Sequence, residues 1–218
     1  VVICAAGTGS RLGVGVPKCL VSIDGRTIID RQLDLLDDVP DIRVTVGYRE
    51  DLVVRHVLAR RPDAVFVRNP DYQTTATLTS LCRAVQHLDR PFVALDGDLL
   101  VRPRSFRSFL AACEAGAPLV GITPASTDDA VFVTVDDPDA PGQVEAFHRA
   151  PAAAFEWSGP AFFAREHLTN DRGYVYEAIE PHLPARAWVV EAAEVDTPDD
   201  LDRARAIIRR WDDEGEGG

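Results

Sequence analysis

The stretch VVICAAGTGSRLGVGVPKCL, residues 1–20, decides the fold. Val1 to Ala5 is a short apolar run and predicts a buried strand. It empties into Ala6-Gly7-Thr8-Gly9-Ser10-Arg11, small residues followed by one fixed cation. With only alanine and glycine from Ala5 to Gly7 and again glycine at Gly9, backbone N–H groups can approach a ligand closely, because no bulky side chain stands in the way. A row of such N–H groups is an anion cradle, and Arg11 adds a planar, always-charged fork suited to phosphate. Pro17-Lys18 follows as a rigid turn presenting a second cation.

This pattern predicts a site for the triphosphate of a nucleotide. A dinucleotide fingerprint would need a helix to start at the glycines, and Gly13, Gly15 and Pro17 would break it. A Walker loop needs Gly-Lys followed by Ser or Thr, whereas Lys18 stands between Pro17 and Cys19. A purely structural turn would need neither cation.

The chain has 218 residues, enough for one domain with a substantial core, so 1–218 is read as a single domain. Its composition is that of an ordinary α/β protein. A net charge of −12 argues against nucleic acid or an anionic membrane as partner, and makes the local cations more telling. Cys4, Cys19, Cys82 and Cys113 lack paired metal spacing and read as reduced thiols, with Cys4 and Cys82 in the core. No apolar run reaches membrane-spanning length and no signal peptide is visible, so the expected compartment is the cytoplasm. The chain opens inside a strand and contains no Met, so a native start is expected to precede it.

Strand and helix then alternate. Cys19 to Ile23 predicts a short strand, and Thr27 an N-cap for a helix over Ile28 to Leu36. Strands are expected at Ile42 to Val46, Ala64 to Val67, Pro91 to Leu95 and Leu119 to Thr123, with helices at Asp51 to Arg60, ending near Leu88, and Pro103 to Ala115. This predicts an α/β fold, a Rossmann-like mostly parallel sheet with helices on both faces. From Ala130 the pattern changes to a small antiparallel extension, with alternation over Val131 to Val135 answered by Val144 to Phe147. The Asp212 to Gly218 tail is polar and expected to fray.

Three further stretches carry chemistry. Asn69 to Leu81 is dense in hydroxyls, which either cap the following helix or read a base edge, with Thr77 and Ser80 the best candidates. Asp96-Gly97-Asp98 ends an apolar strand, and hard oxygen ligands there suit Mg²⁺. Around Trp157, Tyr174, Tyr176 and Glu177, aromatic faces and a carboxylate either pack as core or suit a cationic amine head group. Thr197-Pro198-Asp199-Asp200 is a helix N-terminus, whereas Asp196 precedes the cap and need not serve the helix.

Gly7-Thr8-Gly9-Ser10-Arg11 with Pro17-Lys18 resembles the signature loop of the nucleotidyltransferases that make NDP-sugars and CDP-alcohols, most nearly the bacterial choline-phosphate cytidylyltransferase type. The resemblance covers nearly the whole chain. It implies a nucleotide-diphospho-sugar transferase-like fold, with a nucleotide-binding half over about 1–125 and an acceptor-binding half over about 126–200. It implies Arg11 and Lys18 as catalytic residues. Ala5, Ala6, Gly7, Thr8, Gly9, Ser10, Arg11, Thr77, Ser80 and Asp96 would bind nucleotide, with cytosine as the base. Asp98 and Asp196 would be the Mg²⁺ ligands, and Trp157, Tyr176 and Glu177 would line the acceptor pocket. The implied reaction transfers CMP from CTP to a small phosphate or phosphonate monoester, phosphocholine-like or an aminoalkylphosphonate, releasing pyrophosphate. A sugar-1-phosphate nucleotidyltransferase using another NTP, a type-A glycosyltransferase and a non-catalytic nucleotide-binding module are the rival readings. A homodimer is the macromolecular partnership this reading allows.

Overall fold

The computed structural model describes residues 1–13, 15–126, 130–149 and 153–216. Strand β1, Val2–Cys4, lies between β4, Arg43–Val46, and β6, Phe92–Asp96, and β5, Val65–Arg68, continues the sheet beyond β4. All three pairings are parallel. The short hairpin of β2, Ser22–Ile23, and β3, Arg26–Thr27, stands apart from this sheet. Beyond β6 comes β11, Phe155–Phe163, antiparallel to β6 and to β8, Leu119–Pro124. The sheet then runs through β12, Ala185–Val189, and β10, Gln143–His148, to β9, Phe132–Val135. Because β9 also pairs with the start of β11, the antiparallel end curls back on itself.

Alternation along each strand builds a core on both faces. Ile3 packs with Ile29 and Leu33 of α1, Ile28–Asp34, with Val53 and Val57 of α2, Glu50–Leu58, and with Phe106 and Phe109 of α4, Pro103–Cys113. Val2 faces the other way, toward Leu78 and Leu81 of α3, Thr77–Ala84, and Val175 and Ala178 of α5, Val175–Ile179. Each fully buried aliphatic side chain contributes about 1.5–3 kcal/mol. A third cluster joins Leu12, Ile23, Leu100 and Val195 to Ala204, Ile208 and Trp211 of α6, Pro198–Trp211. It clamps a two-stranded ladder, β7, Leu99–Val101, against β13, Ala192–Glu194.

The expected α/β sheet and its antiparallel extension are present. Thr27 caps α1, its hydroxyl accepting from Asp30 N at 3.1 Å, and Thr197 caps α6 with Pro198 at the first helical position. Other expectations need correcting. Cys19 to Ile23 is no continuous strand: Pro17 leads into a 3₁₀ turn, Lys18–Leu20, and only Ser22–Ile23 pairs. Cys4 and Cys82 are half-buried, and the buried thiol is Cys19. The polar tail does not hang free, because Arg102 Nη2 reaches Glu214 Oε2 at 2.5 Å; Gly217 and Gly218 lie outside the described residues. Among the described residues no helix is long and apolar enough to cross a membrane.

Candidate active site

Chain order sets the position of the site. The chain steps outward from β1 to β4 and β5, then returns to β6 on the other side of β1. This reversal leaves a crevice at the carboxyl ends of β1 and β6, where open α/β sheets bind ligands. The glycine-rich loop leaves β1 there, and Asp96-Gly97-Asp98 leaves β6.

In the loop, Ala5 N–H is already used by Thr45, bonded to its carbonyl and its hydroxyl at 3.2 Å each. No acceptor among the described residues takes up the N–H groups of Gly7, Thr8 or Gly9. Gly9 has φ of 60°, and a Cβ there would stand 2.5 Å from Lys18 Cγ. Glycine is required at this position both for the left-handed backbone and so that the stem of Lys18 can cross it.

Lys18 is the hub. Its Nζ donates to Asp98 Oδ2 at 2.8 Å and also pairs with Asp196 Oδ1, while Arg11 Nη2 donates to Asp196 Oδ2. Arg11, Lys18, Asp98 and Asp196, four of the charged residues picked out in the sequence, thus meet in one cluster. The β7–β13 ladder explains how: Glu194 is opposite Leu99, and Val195 N donates to Asp98 O at 3.0 Å, so Asp98 and Asp196 flank the same end. Gly97 seats the turn, its N–H bonded to Cys4 O at 2.9 Å and its missing side chain leaving room for Cys4 and Ala5. Asp96 stands behind. Burial pushes its carboxyl well above the usual range, and the like charges of Asp98 and Glu194 add to this against the opposing Lys18.

Two carboxylates are the donor set Mg²⁺ accepts when water and phosphate complete its six oxygens. Among the described residues no group of three or more His, Cys, Asp or Glu side chains gathers as metal ligands, so a site built of protein groups alone is not offered. The chemistry of Asp98 and Asp196 therefore fits Mg²⁺ carried in with a nucleotide, and fits poorly a closed protein cage.

The hydroxyl-rich segment is organised by Asn69, which is buried. Its Nδ2 donates to Thr75 Oγ1 and Ser80 Oγ, each at 2.9 Å, and its Oδ1 accepts from Asp71 N at 3.1 Å. Ser80 is consequently buried and partnered, while Thr77 opens α3 half-buried. Leu78 N donates to Gly173 O at 3.2 Å, bringing the α3 start beside the segment that leads into α5.

Trp157 and Tyr176 come together through Phe147, whose ring centroid is 5.7 Å from each. Arg149, which the sequence reading did not single out, holds its guanidinium carbon 5.6 Å from the Tyr174 centroid and 5.4 Å from that of Tyr176. These ring faces therefore already carry a cation of the protein's own. Glu177 caps α5, its Oε2 accepting from Tyr174 N at 2.7 Å. Strand β11 links the two clusters, since Gly159 (φ 95°) lies against Leu99 and near Asp96, two residues beyond Trp157. Phe163 is buried in the core, and Phe162 is half-buried.

A family model described as the MobA-like NTP transferase domain matches residues 1–214. The chain belongs to this family. It is a nucleotidyltransferase domain. Among curated relatives it is 30% identical over 199 residues to the CMP-5'-(3-aminopropyl)phosphonate synthase of Streptomyces rubellomurinus, matching 84% of this chain and 30% of that protein. It is also 30% identical over 241 residues to the bifunctional IPC transferase and DIPP synthase of Rubrobacter xylanophilus, matching 98% of this chain and 53% of that one. The chain thus spans about half or less of the length of these relatives. Among solved structures, CTP:phosphocholine cytidylyltransferase from Streptococcus pneumoniae superposes with a TM-score of 0.79 at 19% identity, covering 94% of this chain and 97% of that one. The inositol-1-phosphate CTP transferase from T. maritima gives 0.74 at 18%, covering 96% and 94%. These two likenesses establish the nucleotidyltransferase fold.

Proposed function

We propose that the chain transfers CMP from CTP to a small phosphate or phosphonate monoester, with release of pyrophosphate. The observation that carries this reading is the convergence of Arg11, Lys18, Asp98 and Asp196 at the carboxyl ends of β1 and β6. An oxyanion of the acceptor attacks the α-phosphorus, the bond to the bridging oxygen breaks, and pyrophosphate leaves. The acceptor oxyanion is already ionised near neutral pH, so neither a general base nor a covalent enzyme intermediate is needed. Catalysis rests on in-line positioning and charge neutralisation.

Arg11 and the N–H groups of Gly7, Thr8 and Gly9 hold the β- and γ-phosphates. Lys18 exchanges a carboxylate partner for oxygens of the α-phosphate and the acceptor. Asp98 and Asp196 would hold Mg²⁺, which would supply charge neutralisation at the phosphates. Asp96 supports Asp98 from behind. Thr77 stands at the base-reading end of α3, with Ser80 keeping that end in shape through Asn69. The named product of the Streptomyces relative, a CMP-phosphonate, supports cytosine as the base and a phosphonate or phosphate as the acceptor. Residues of about 1–125 serve the nucleotide and those of about 126–200 the acceptor, where Trp157, Tyr176 and Glu177 border the pocket and Arg149 adds a cation.

The test is a matrix of CTP, UTP, GTP and ATP against phosphocholine, aminoalkylphosphonates, polyol phosphates and sugar 1-phosphates, read as pyrophosphate release with Mg²⁺ present. The reading expects turnover with CTP and a monoester other than a sugar 1-phosphate. Turnover confined to another NTP with a sugar 1-phosphate selects the sugar-nucleotide alternative. NTP binding by calorimetry with no turnover across the matrix overturns the enzymatic reading.

A further inference from the structure

Helix α1 turns Ile28, Ile29 and Leu33 into the core, and Leu36 joins them from the turn just past its end. Gln32 lies among them, three or four positions from each but Leu33, and is 1% exposed. A buried primary amide on an apolar face needs partners. Its Nε2 donates to Asp96 O at 2.7 Å and to Leu99 O at 2.8 Å, while its Oε1 is buried without a hydrogen-bond partner. Both amide hydrogens are therefore spent on the first and last carbonyls of the turn Asp96-Gly97-Asp98-Leu99. Only the NH₂ end of an amide can serve two acceptors at once, so this assignment fixes the side-chain orientation.

We propose that Gln32 is a positioning residue for nucleotidyl transfer. It clamps the two ends of the turn that carries Asp98. Through the ladder that starts at Leu99 it also keeps Asp196 in register on Lys18. The inference rests on the reading of Asp98, Asp196 and Lys18 given above. Gln32 touches neither nucleotide nor acceptor and acts only by holding the backbone. Oε1 is left without a donor, while both amide hydrogens meet carbonyls of the turn.

Gln32→Glu keeps the side-chain shape and points carboxylate oxygens at two carbonyls. Gln32→Met keeps the volume and donates nothing. With either variant folded by circular dichroism, kcat is expected to fall about 10–100-fold while KM for CTP stays within about threefold. Amide hydrogen exchange supplies a readout apart from turnover. In the parent, Gly97 N–H and Val195 N–H, which bond Cys4 O and Asp98 O, are expected among the slowly exchanging amides, and in the variants they lose protection while the amides of β4 keep theirs. Fast exchange at Gly97 and Val195 in the parent overturns the proposal even if both variants fail to fold. So does a folded variant with parental kcat. A parent with no turnover across the nucleotide and acceptor matrix, yet with the predicted exchange pattern, overturns the functional reading and leaves the clamp standing.

Discussion

Asp98 and Asp196 share one ammonium: Lys18 Nζ lies 2.8 Å from Asp98 Oδ2 and pairs as well with Asp196 Oδ1. The pairing depends on the antiparallel ladder that begins beside each of them, Leu99–Val101 against Ala192–Glu194, which joins two segments distant in the chain. A cation held between two acids is poised to exchange one partner for a phosphate oxygen. If Lys18 neutralises charge in the transition state, Lys18→Ala lowers kcat by about 10²–10³. Steady-state pyrophosphate release measures this, and unchanged turnover removes Lys18 from the mechanism.

The glycine loop separates two effects. At Gly9 a Cβ would strike the Lys18 stem, on a backbone with φ of 60°. At Gly7 nothing lies within 4 Å and φ is not positive. Gly9→Ala is therefore expected to lower both Tm and kcat. Gly7→Ala is expected to leave Tm nearly unchanged and to raise KM for CTP, because its methyl group crowds the approach to phosphate. Thermal melts and CTP saturation curves of the two variants check the contrast; equal behaviour would contradict it.

Most of this site was legible because its chemistry is local. A strand, small residues, Arg11 and Pro17-Lys18 stand in one short run, and Asp98 and Asp196 each lie two residues past the end of a strand. The β7–β13 ladder was not legible, since three-residue strands such as Ala192–Glu194 carry too few alternations to rise above loop. Gln32 did leave a signal: a polar residue at a core position of an amphipathic helix. Arg149 left none, because its relation to Tyr174 and Tyr176 is made entirely by the fold. The same lack of long-range information placed Cys4 and Cys82 deeper than they are.

Arg149 lies over two tyrosine faces, in the region proposed to bind the acceptor. Arg149→Ala is expected to change KM for the acceptor severalfold while leaving KM for CTP unaltered. The direction distinguishes acceptors: an anionic group that pairs with the guanidinium binds more weakly, and an ammonium that competes for the rings binds more tightly. Kinetics with phosphocholine and with a polyol phosphate, which carries the anion but no ammonium, measure both directions. A change confined to KM for CTP would place Arg149 on the nucleotide side.

Away from the site, Asp30 holds the start of α1 to α2. Burial raises its pKa, but hydrogen bonds from Thr27, Arg60 and His56 outweigh that and bring it from 3.8 to about 2. A carboxylate depressed in the folded state contributes stability above its unfolded pKa and loses it as pH falls through the folded one. Asp30→Asn is expected to cost about 1–2 kcal/mol at pH 7, after allowance for solvent screening. The difference from the parent should shrink as pH is lowered from about 4 toward 2. Urea melts across that range check the sign; a growing difference would contradict it.

The most direct test of the account is Mn²⁺ binding, read by electron paramagnetic resonance with CTP present. The account predicts one tightly held Mn²⁺ per CTP-bound chain, with affinity lost in both Asp98→Asn and Asp196→Asn. Undiminished Mn²⁺ binding in both variants, each folded and still binding CTP, would contradict it.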